Sequence, residues 1–345
     1  MSKKTIALTG GSTGGHVFPL VSLYNYLSEN EEYDFLWFGE QWGLEEEIAE
    51  KSEIEFHDIS AGKLRRYLDF RNLYEPLKNL TGIVESLFFI KKYNIDLVFS
   101  KWWYVSLPMA IWAKIMRKKL FIHESDTVSG ISNKIVSKLA DKVFYSFDNE
   151  KIDNSKHILS GQILNPELLD SIENIHISEN KRQKILVTGG SQWSTAIFEA
   201  LLEVLGYLDF IDFTVILWEK NEHFREDFDK FTYVKVIDFA TQSELWKILK
   251  HTDLAITRAW ATSLWEQNAF WIHSIIIPLE GSAWNHQEKN AEYFSEKFES
   301  DILYQNKYLA NNLKEKLIKY KDLRKAWLNL SNFFWSLKII KANMK

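Results

Sequence analysis

The same local pattern opens each half of the chain, and it constrains the fold more than any other feature. Residues 4–8 (KTIAL) form a predicted strand that runs into a glycine turn at residues 10–15, and residues 184–188 (KILVT) run into Gly189 and Gly190. Short apolar strands that alternate with helices are typical of parallel sheets covered on both faces. We therefore predict an α/β chain with two Rossmann-like domains, each built on a doubly wound parallel sheet.

The alternation of strands and helices continues through both halves. In the first half we predict strands at residues 35–38, 95–100 and 119–123 and helices at residues 17–27 and 106–116. In the second half we predict a helix at residues 198–205 and strands at residues 213–217, 233–236, 254–257 and 274–278. The joint falls near residues 161–166, which gives domains of residues 1–163 and 164–325. Residues 312–345 look helical throughout, and residues 326–345 are expected to pack back on the first domain as a C-terminal helix.

Composition excludes several classes of protein. A chain of 345 residues is long enough for two domains, and its formal net charge of -5 argues against wholesale binding of nucleic acid. The absence of cysteine excludes disulfides and thiolate metal sites, and it suits a reducing compartment. No run of about 18 apolar residues is present, so no segment is expected to span a membrane, and the N-terminus lacks the apolar core of a secretion signal.

The first glycine turn, in residues 9–16 (TGGSTGGH), is the strongest local signal for a ligand site. Glycines let the backbone approach a ligand closely, and the helix that follows presents backbone N–H groups. The spacing is not GxGxxG, so a dinucleotide fingerprint does not fit. His16 lies where a ligand at this turn would bind, and histidine suits the role of general base. The alternatives are a plain tight turn and a helix-capping or structural histidine.

Polar clusters also follow later strands. His123, in the sequence HESD, is either a ligand contact or a buried, hydrogen-bonded histidine. In the second glycine turn, residues 188–192 (TGGSQ), backbone N–H groups and the Ser191 hydroxyl are suited to holding a phosphate. Residues 285–290 (NHQEKN) form a polar turn that would pass as a loop by itself.

Residues 256–266 (ITRAWATSLWE) end a strand and open a helix. Thr262 and Ser263 lie at the predicted helix start, where a phosphate is attracted to the positive end of the helix dipole. Glu266 is placed to accept hydrogen bonds from ribose hydroxyls. The alternative is structural, because Thr262 or Ser263 together with Glu266 resembles a capping box.

Residues 63–93 combine basic and aromatic side chains in a way that the rest of the chain does not. Such a surface can dock on anionic lipid, but an ordinary amphipathic helix packed on the sheet explains the same pattern. The basic members are Lys63, Arg65, Arg66, Arg71, Lys91 and Lys92, and the apolar members include Tyr67, Phe70, Tyr74, Phe88 and Phe89.

Taken in order, these clusters resemble the motifs of the MurG family over nearly the whole chain. The family pattern GGTGGH[VI]xP is similar to residues 10–19, HEQN to residues 123–126, and GGSQG to residues 189–193. RSGAxTxxE is similar to residues 258–266, and the late glutamine-containing loop of the family to residues 285–290. The resemblance implies a GT-B fold, in which two Rossmann-like domains face each other across a cleft.

The resemblance also implies an activity and a set of site residues. The activity is a hexosyltransferase reaction of peptidoglycan synthesis: N-acetylglucosamine passes with inversion from UDP-N-acetylglucosamine to a lipid-linked muramyl-peptide acceptor, lipid I. The implied enzyme uses no cofactor and no metal, and it lies peripherally on the cytoplasmic face of the cell membrane. His16 is the implied catalytic base, and acceptor contacts are implied for Gly14, Gly15, His16 and His123. Donor contacts are implied for Thr13, Gly14, Gly15, Asp126, Asn165, Ser191, Gln192, Thr262, Ser263, Glu266 and Gln287.

Two polar positions depart from the family pattern. Asp126 stands where the family has asparagine, which places a negative charge near the donor sugar. Asn165 stands near the position of a family arginine beside the diphosphate, so another positive source, such as a helix dipole, has to replace that cation.

A further departure is systematic and concerns tryptophan. Tryptophan occupies family glycine positions at Trp102, Trp103, Trp193, Trp260 and Trp271, and glycine-like turns at Trp42, Trp218 and Trp284. Glycine and tryptophan each occur 14 times, whereas a usual glycine usage of about 7% predicts roughly 24 glycines. We hypothesise that codons read as glycine in the source organism were translated as tryptophan, with UGA as the natural candidate. UGG codons at positions 193, 260 and 271 would refute this hypothesis.

Two other functions stay open on the sequence alone. One is a GT-B glycosyltransferase that uses a different acceptor, because the acceptor half of the pattern is less diagnostic than the donor half. The other takes the tryptophans as genuine, in which case the chain is a non-catalytic binding or scaffold protein whose pockets are blocked.

Overall fold

The computed structural model describes most of the chain and divides it into two compact units. The first unit comprises Met1–Pro166 with Phe333–Lys345, and the second comprises Glu167–Asn332. The described residues are 3–11, 14–29, 32–60, 75–101, 106–129, 131–165, 167–168, 182–190, 193–298, 300–324 and 335–344. Within these residues, no helix has the length and apolar character needed to cross a bilayer.

The first unit is built on a parallel sheet of seven strands in the order β3-β2-β1-β4-β5-β6-β7. The strands are β1 (Lys4–Thr9), β2 (Tyr33–Gly39), β3 (Glu55–Asp58), β4 (Leu97–Ser100), β5 (Lys119–Glu124), β6 (Lys142–Tyr145) and β7 (His157–Leu159). The described helices of its main segment are α1 (Gly14–Ser28), α2 (Leu44–Lys51), α3 (Glu75–Lys92), α4 (Ser106–Ile115) and α5 (Ile131–Leu139).

Apolar side chains cover both faces of this sheet. Successive side chains of a strand point to opposite faces. Accordingly, Ile6 and Leu8 of β1 pack in one buried cluster with Leu20 of α1, and Ala7 packs in another with Met109 of α4. Each of these five side chains is 0% exposed. Burial on both faces explains why the strands are continuously apolar rather than alternating.

The second unit repeats the design with a parallel sheet of six strands in the order β10-β9-β8-β11-β12-β13. The strands are β8 (Gln183–Thr188), β9 (Ile211–Ile216), β10 (Val234–Ile237), β11 (Leu254–Thr257), β12 (His273–Ile276) and β13 (Asp301–Ile302). The α-helices within the described part of this unit are α6 (Thr195–Leu205), α7 (Arg225–Phe228), α8 (Gln242–Lys250), α9 (Ala261–Ala269), α10 (His286–Lys297) and α11 (Leu309–Lys319). The prediction of two doubly wound, Rossmann-like domains is confirmed.

The C-terminal segment differs from the prediction. Residues 312–345 are not helical throughout, because α11 ends at Lys319 and the next described helix, α12 (Trp335–Met344), begins well after it. The side-chain amide of Gln183 donates to the carbonyl oxygens of Tyr320 and Leu323, at 2.7 and 3.0 Å, and so fixes the chain in a turn. Helix α12 buries Ile340 in the same cluster as β1 of the first unit.

Strand order identifies where each unit can bind a ligand. In both sheets the order reverses once, between β1 and β4 in the first unit and between β8 and β11 in the second. In open α/β sheets, ligands bind outside the carboxyl ends of the strands at this point of reversal. The two glycine turns follow β1 and β8, so each lies at the reversal point of its own sheet.

Candidate active site

The second glycine turn, after β8 of the second unit, packs closely against neighbouring residues of the same unit. Gly190 has a φ of +79°, a left-handed conformation that glycine adopts without strain. A Cβ atom on Gly189 would lie 2.2 Å from the Ser194 hydroxyl oxygen, so no larger residue fits there without movement. Ser191 and Gln192, the predicted phosphate-binding residues of this turn, lie outside the described residues.

Arg258 stabilises the same end of the sheet, at the carboxyl ends of the strands, through hydrogen bonds of its side chain. Its guanidinium is buried and donates to the carbonyl oxygen of Trp193 at 2.7 and 2.9 Å, to that of Ile277 at 2.9 Å, and to Gln305 Oε1 at 2.6 Å. Burial lowers the pKa of Arg258 to about 10, and the nearby Glu280 carboxylate opposes this shift. Arg258 therefore ties together the segments that follow β8, β11 and β12.

Helix α9 starts at the reversal point, beside the second glycine turn. Its N-cap residue is Trp260, and no side chain makes a capping hydrogen bond there. Thr262 and Ser263 lie inside the first turn, so the capping box considered for these residues and Glu266 is not formed. The first N–H groups of a helix lack intrahelical acceptors and carry the positive end of its dipole. Thr262 and Ser263 are thus positioned where an anion would bind.

Glu266 lies deeper along α9 and is buried. Its Oε1 accepts from Gln242 Nε2 at 3.3 Å and from Trp246 Nε1 at 3.4 Å. Burial raises the pKa of Glu266 above its ordinary value, and these two hydrogen bonds oppose the shift. The sequence did not single out Gln242 or Trp246, which come from α8.

Gln287 carries an unsatisfied donor at the start of α10. The side chain is fully buried, and its Oε1 accepts from the backbone N–H of Leu279 at 2.9 Å. Its Nε2 has no hydrogen-bond partner among the described residues. Because an unpaired buried amide costs free energy, this nitrogen is a candidate for a ligand contact.

In the first unit, α1 begins directly at the predicted site. Gly14 and Gly15 are its first two residues, and His16 is half-buried in its first turn. Gly10 accepts a hydrogen bond from the buried Trp37 indole at 3.3 Å. Thr13, the predicted donor contact between the two glycine pairs, lies outside the described residues.

A buried lysine that the sequence analysis missed lies next to this turn. Lys101 follows β4, is 0% exposed, and donates from Nζ to His123 Nδ1 at 2.7 Å and to the Ser125 hydroxyl. His123 Nε2 in turn lies 3.0 Å from the carbonyl oxygen of Gly161, and Ser125 donates to Gln162 Oε1 at 3.2 Å. Both ring nitrogens of His123 are therefore used within the protein, which favours the buried, hydrogen-bonded histidine over a direct acceptor contact.

The electrostatics of this cluster depend on two carboxylates. Burial lowers the pKa of Lys101 to about 7, while Glu124 and Asp126 oppose that shift. Burial, and then the Asp126 charge, raises the pKa of Glu124 to about 7. Asn133 donates to Glu124 Oε2 at 2.7 Å. The aspartate that departs from the family pattern thus lies close enough to the buried Lys101 for their charges to interact.

Asn165, the last of the predicted site residues, is half-buried in the segment after β7. Burial, followed by the Lys101 charge, holds the pKa of His123 well below its ordinary value, so the ring is neutral. Among the described residues, no group of three or more His, Cys, Asp and Glu side chains is arranged to hold a metal ion.

Family models match both halves of the chain. The glycosyltransferase family 28 N-terminal domain matches residues 6–145, and the corresponding C-terminal domain matches residues 184–329.

Curated relatives and solved structures agree with these matches. The chain is 31% identical over 322 residues to UDP-N-acetylglucosamine--N-acetylmuramyl-(pentapeptide) pyrophosphoryl-undecaprenol N-acetylglucosamine transferase 3 of Bacillus thuringiensis (strain Al Hakam), covering 90% of this chain and 89% of the relative. It is 32% identical over 339 residues to the transferase of Clostridium botulinum (strain Kyoto / Type A2), covering 94% and 93%. The crystal structure of Acinetobacter baumannii MurG superposes with a TM-score of 0.74 at 22% identity, covering 93% and 92%. The chain therefore belongs to the MurG family of GT-B glycosyltransferases.

Proposed function

We propose that this chain transfers N-acetylglucosamine from UDP-N-acetylglucosamine to a lipid-linked muramyl-peptide acceptor in peptidoglycan synthesis. The proposal rests on the groups that lie together at the carboxyl ends of the strands in the second sheet. There the second glycine turn, the start of α9, Glu266 and the unsatisfied amide of Gln287 come from segments that follow β8, β11 and β12. This combination supplies backbone donors, a helix dipole, an acceptor and a donor, as a sugar nucleotide requires.

Each part of the donor has a proposed partner in the second unit. The diphosphate would be held by Ser191, Gln192 and the N–H groups around Thr262 and Ser263. Glu266 would accept from the ribose hydroxyls, and the Gln287 Nε2 group would donate to the sugar. Asp126 and Asn165 are further proposed donor contacts, supported only by their places in the family pattern.

The proposed chemistry is a single displacement. The muramyl hydroxyl oxygen attacks the anomeric carbon of N-acetylglucosamine, the bond from that carbon to the phosphate oxygen breaks, and UDP leaves with the electron pair. The hydroxyl proton passes to the imidazole of His16, and the configuration inverts. Gly14, Gly15 and His123 remain proposed acceptor-side residues, with His123 acting through Lys101 rather than by a contact of its own.

The test is transfer of radiolabelled N-acetylglucosamine to a short-chain lipid I analogue. We expect a labelled product with this acceptor and none with simple glycolipids or small aglycones when UDP-N-acetylglucosamine is held fixed. Transfer to a different acceptor alone would support the second candidate, another GT-B glycosyltransferase.

Replacing Glu266 with alanine is expected to weaken UDP binding by about ten-fold or more, because a charged hydrogen-bond acceptor is lost. Calorimetry with UDP measures the effect. Glu199→Ala, an exposed change on α6, is the matched control. Glu266 also accepts hydrogen bonds from Gln242 and Trp246. Thermal unfolding of Glu266→Gln therefore tests whether a change at this position disturbs the fold. Unchanged UDP affinity in Glu266→Ala would remove the ribose contact.

The outer face of α3 supports a membrane location for the enzyme. Leu80, Val84 and Phe88 are 60%, 67% and 58% exposed, and their spacing places them on one side of the helix. The opposite side is buried through Ser86 and Ile90. We propose that this face, with Lys91 and Lys92 at the helix end, docks on an anionic bilayer. The rest of the basic and aromatic stretch, residues 63–74, lies outside the described residues.

The double change Val84→Glu with Phe88→Glu is expected to reduce binding to anionic phospholipid vesicles by about ten-fold or more, since two apolar side chains can no longer be buried in lipid. Vesicle co-sedimentation measures this. Ile318→Glu, at a residue that is 44% exposed in the second unit, is the control and should bind as the parent chain does. Equal binding by the double variant would exclude α3 as the docking face.

A further inference from the structure

Five of the tryptophans that the structure describes have a positive φ angle. Their φ angles are 63° at Trp42, 75° at Trp193, 62° at Trp218, 56° at Trp271 and 59° at Trp284. A side chain with a Cβ atom is strained in this region, and for a bulky residue the conformation is a true outlier, whereas glycine adopts it freely. All five are among the eight tryptophans that the sequence places at glycine-like positions.

The tryptophans with ordinary roles behave differently. Trp37 in β2, Trp246 in α8 and Trp265 in α9 are buried in strands or helices, and none has a positive φ. By contrast, Trp42 and Trp193 are 88% and 62% exposed. The chain thus contains one set of tryptophans that contribute to the cores and another that occupy strained turns.

Trp271 shows most clearly what its position requires. Helix α9 has its C-cap at Phe270, and the N–H of Trp271 donates to the carbonyl oxygen of Asn268 at 2.9 Å. The N–H of Ile272 donates to the carbonyl oxygen of Gln267 at 3.0 Å. This pair of bonds is the Schellman motif, in which the residue after the C-cap is left-handed and usually glycine. Trp271 occupies that residue.

Trp218 carries a second cost. Its backbone precedes the 3₁₀ helix Glu219–Phe224 with a φ of 62°. Its indole Nε1 is buried without a hydrogen-bond partner among the described residues. The backbone of Trp218 is strained and the polar atom of its side chain is unsatisfied, and glycine would remove both costs.

We infer that the functional protein carries glycine, not tryptophan, at positions 42, 193, 218, 271 and 284. A single codon read as tryptophan in one code and as glycine in another accounts for all five positions at once. The inference rests on backbone conformation and stands apart from the proposed function.

Trp260 is a separate case, and its consequence does rest on the proposed function. Its φ of -72° does not require glycine. Its indole Nε1 donates to the carbonyl oxygen of Gly189 at 3.2 Å and lies 2.9 Å from where a Cβ on Gly190 would be. The ring therefore covers the turn proposed to hold the diphosphate, and glycine at position 260 would expose it.

The direct experiment is peptide mass spectrometry of the protein isolated from the cells that make it. We expect glycine at the five positions and tryptophan at Trp37 and Trp246. Tryptophan at positions 193 and 271 in the native protein would overturn the inference.

A second experiment compares recombinant chains by thermal unfolding. Trp42→Gly and Trp193→Gly are each expected to raise the unfolding midpoint by roughly 1–4 °C through relief of the left-handed strain. Trp42→Ala and Trp193→Ala are the matched controls, since they remove the indole but keep the Cβ atom, and they should give no such rise. Trp37→Gly should lower the midpoint. Alanine performing as well as glycine would contradict the role of backbone strain.

Calorimetry with UDP separates this inference from the proposed function. We expect the five-glycine chain to bind UDP more tightly than the all-tryptophan chain, and Trp260→Gly on that background to increase binding further. Native glycine at the five positions with no UDP binding by any version would uphold the inference and reject the proposed function. Native tryptophan at the five positions, together with tight UDP binding, would reject the inference and uphold the proposed function.

Discussion

Replacing His16 with alanine is expected to lower the rate of sugar transfer by about 100- to 10,000-fold, the range for loss of a positioned general base. His16 lies in the first turn of α1, after the glycine turn at the reversal point of the first sheet. Binding of UDP should change little, because the proposed donor contacts come mainly from the second unit. The assay is transfer to the lipid I analogue, with kcat and KM determined separately.

The pH profile distinguishes a base from a structural residue. With His16 present, activity should rise with pH as the imidazole loses its proton, and this limb should be absent in His16→Ala. His251→Ala, an exposed change at the end of α8, is the matched control and should keep both rate and profile. Full turnover by His16→Ala would remove the assigned base. The His16 and His251 variants are made in the chain that carries, at the tryptophan positions, the residues found in the native protein by peptide mass spectrometry.

Local patterns predicted the sheet well because each strand carries its own signal. The strand at residues 254–257 was placed with the bounds that the structure has, and the strand predicted at residues 4–8 differs from β1 by one residue at its end. Burial on both faces makes such strands continuously apolar, so the pattern can be recognised without knowledge of their neighbours. The short edge strands β3, β7 and β13 were missed because they have few buried residues. The internal strand β6 was also missed, although three of its four residues are buried.

Features that depend on several segments could not be predicted in the same way. Lys101 follows a predicted strand, but its partners His123 and Ser125 come from the next strand, β5, and its end. The helix start at Trp260 also differs from the capping box that the spacing suggested. In both cases the local spacing was compatible with more than one structure, and only the tertiary contacts select between them.

At most of the tryptophan positions, by contrast, the sequence pattern and the backbone conformation agree. The sequence predicted family glycine positions at Trp193 and Trp271 and glycine-like turns at Trp42, Trp218 and Trp284, and the backbone at each has a positive φ. Trp260 does not follow this rule, since its φ is -72°. For Trp260 the argument is one of space at the donor turn, which is why it needs a binding experiment rather than a stability experiment.

The buried cluster around Lys101 should make stability depend on pH in two opposite ways. The pKa of Lys101 falls from 10.5 to about 7, so between these values the unfolded chain holds a proton that the folded chain lacks. Stability should therefore rise with pH across this window, by up to about 1.4 kcal/mol per pH unit. The pKa of Glu124 rises from 4.5 to about 7, so in that lower window the folded chain holds the extra proton, and stability should fall as pH rises.

Specific variants should remove the Lys101 and Glu124 contributions separately. Below pH 6.5 the lowered pKa of His123 adds a slope of the opposite sign to that of Glu124, because the unfolded chain then binds a proton that the buried ring does not. Lys101→Met should therefore reduce the rise above neutrality, and Glu124→Gln should make stability rise more steeply with pH below it. The free energy of unfolding, measured by denaturant titration at a series of pH values, tests both. Lys138→Met and Glu50→Gln, at exposed residues of the same unit, are the matched controls and should follow the parent curve. If Lys101→Met left the upper slope intact, titration of Lys101 would not be its cause, and the lowered pKa of this buried lysine would be rejected.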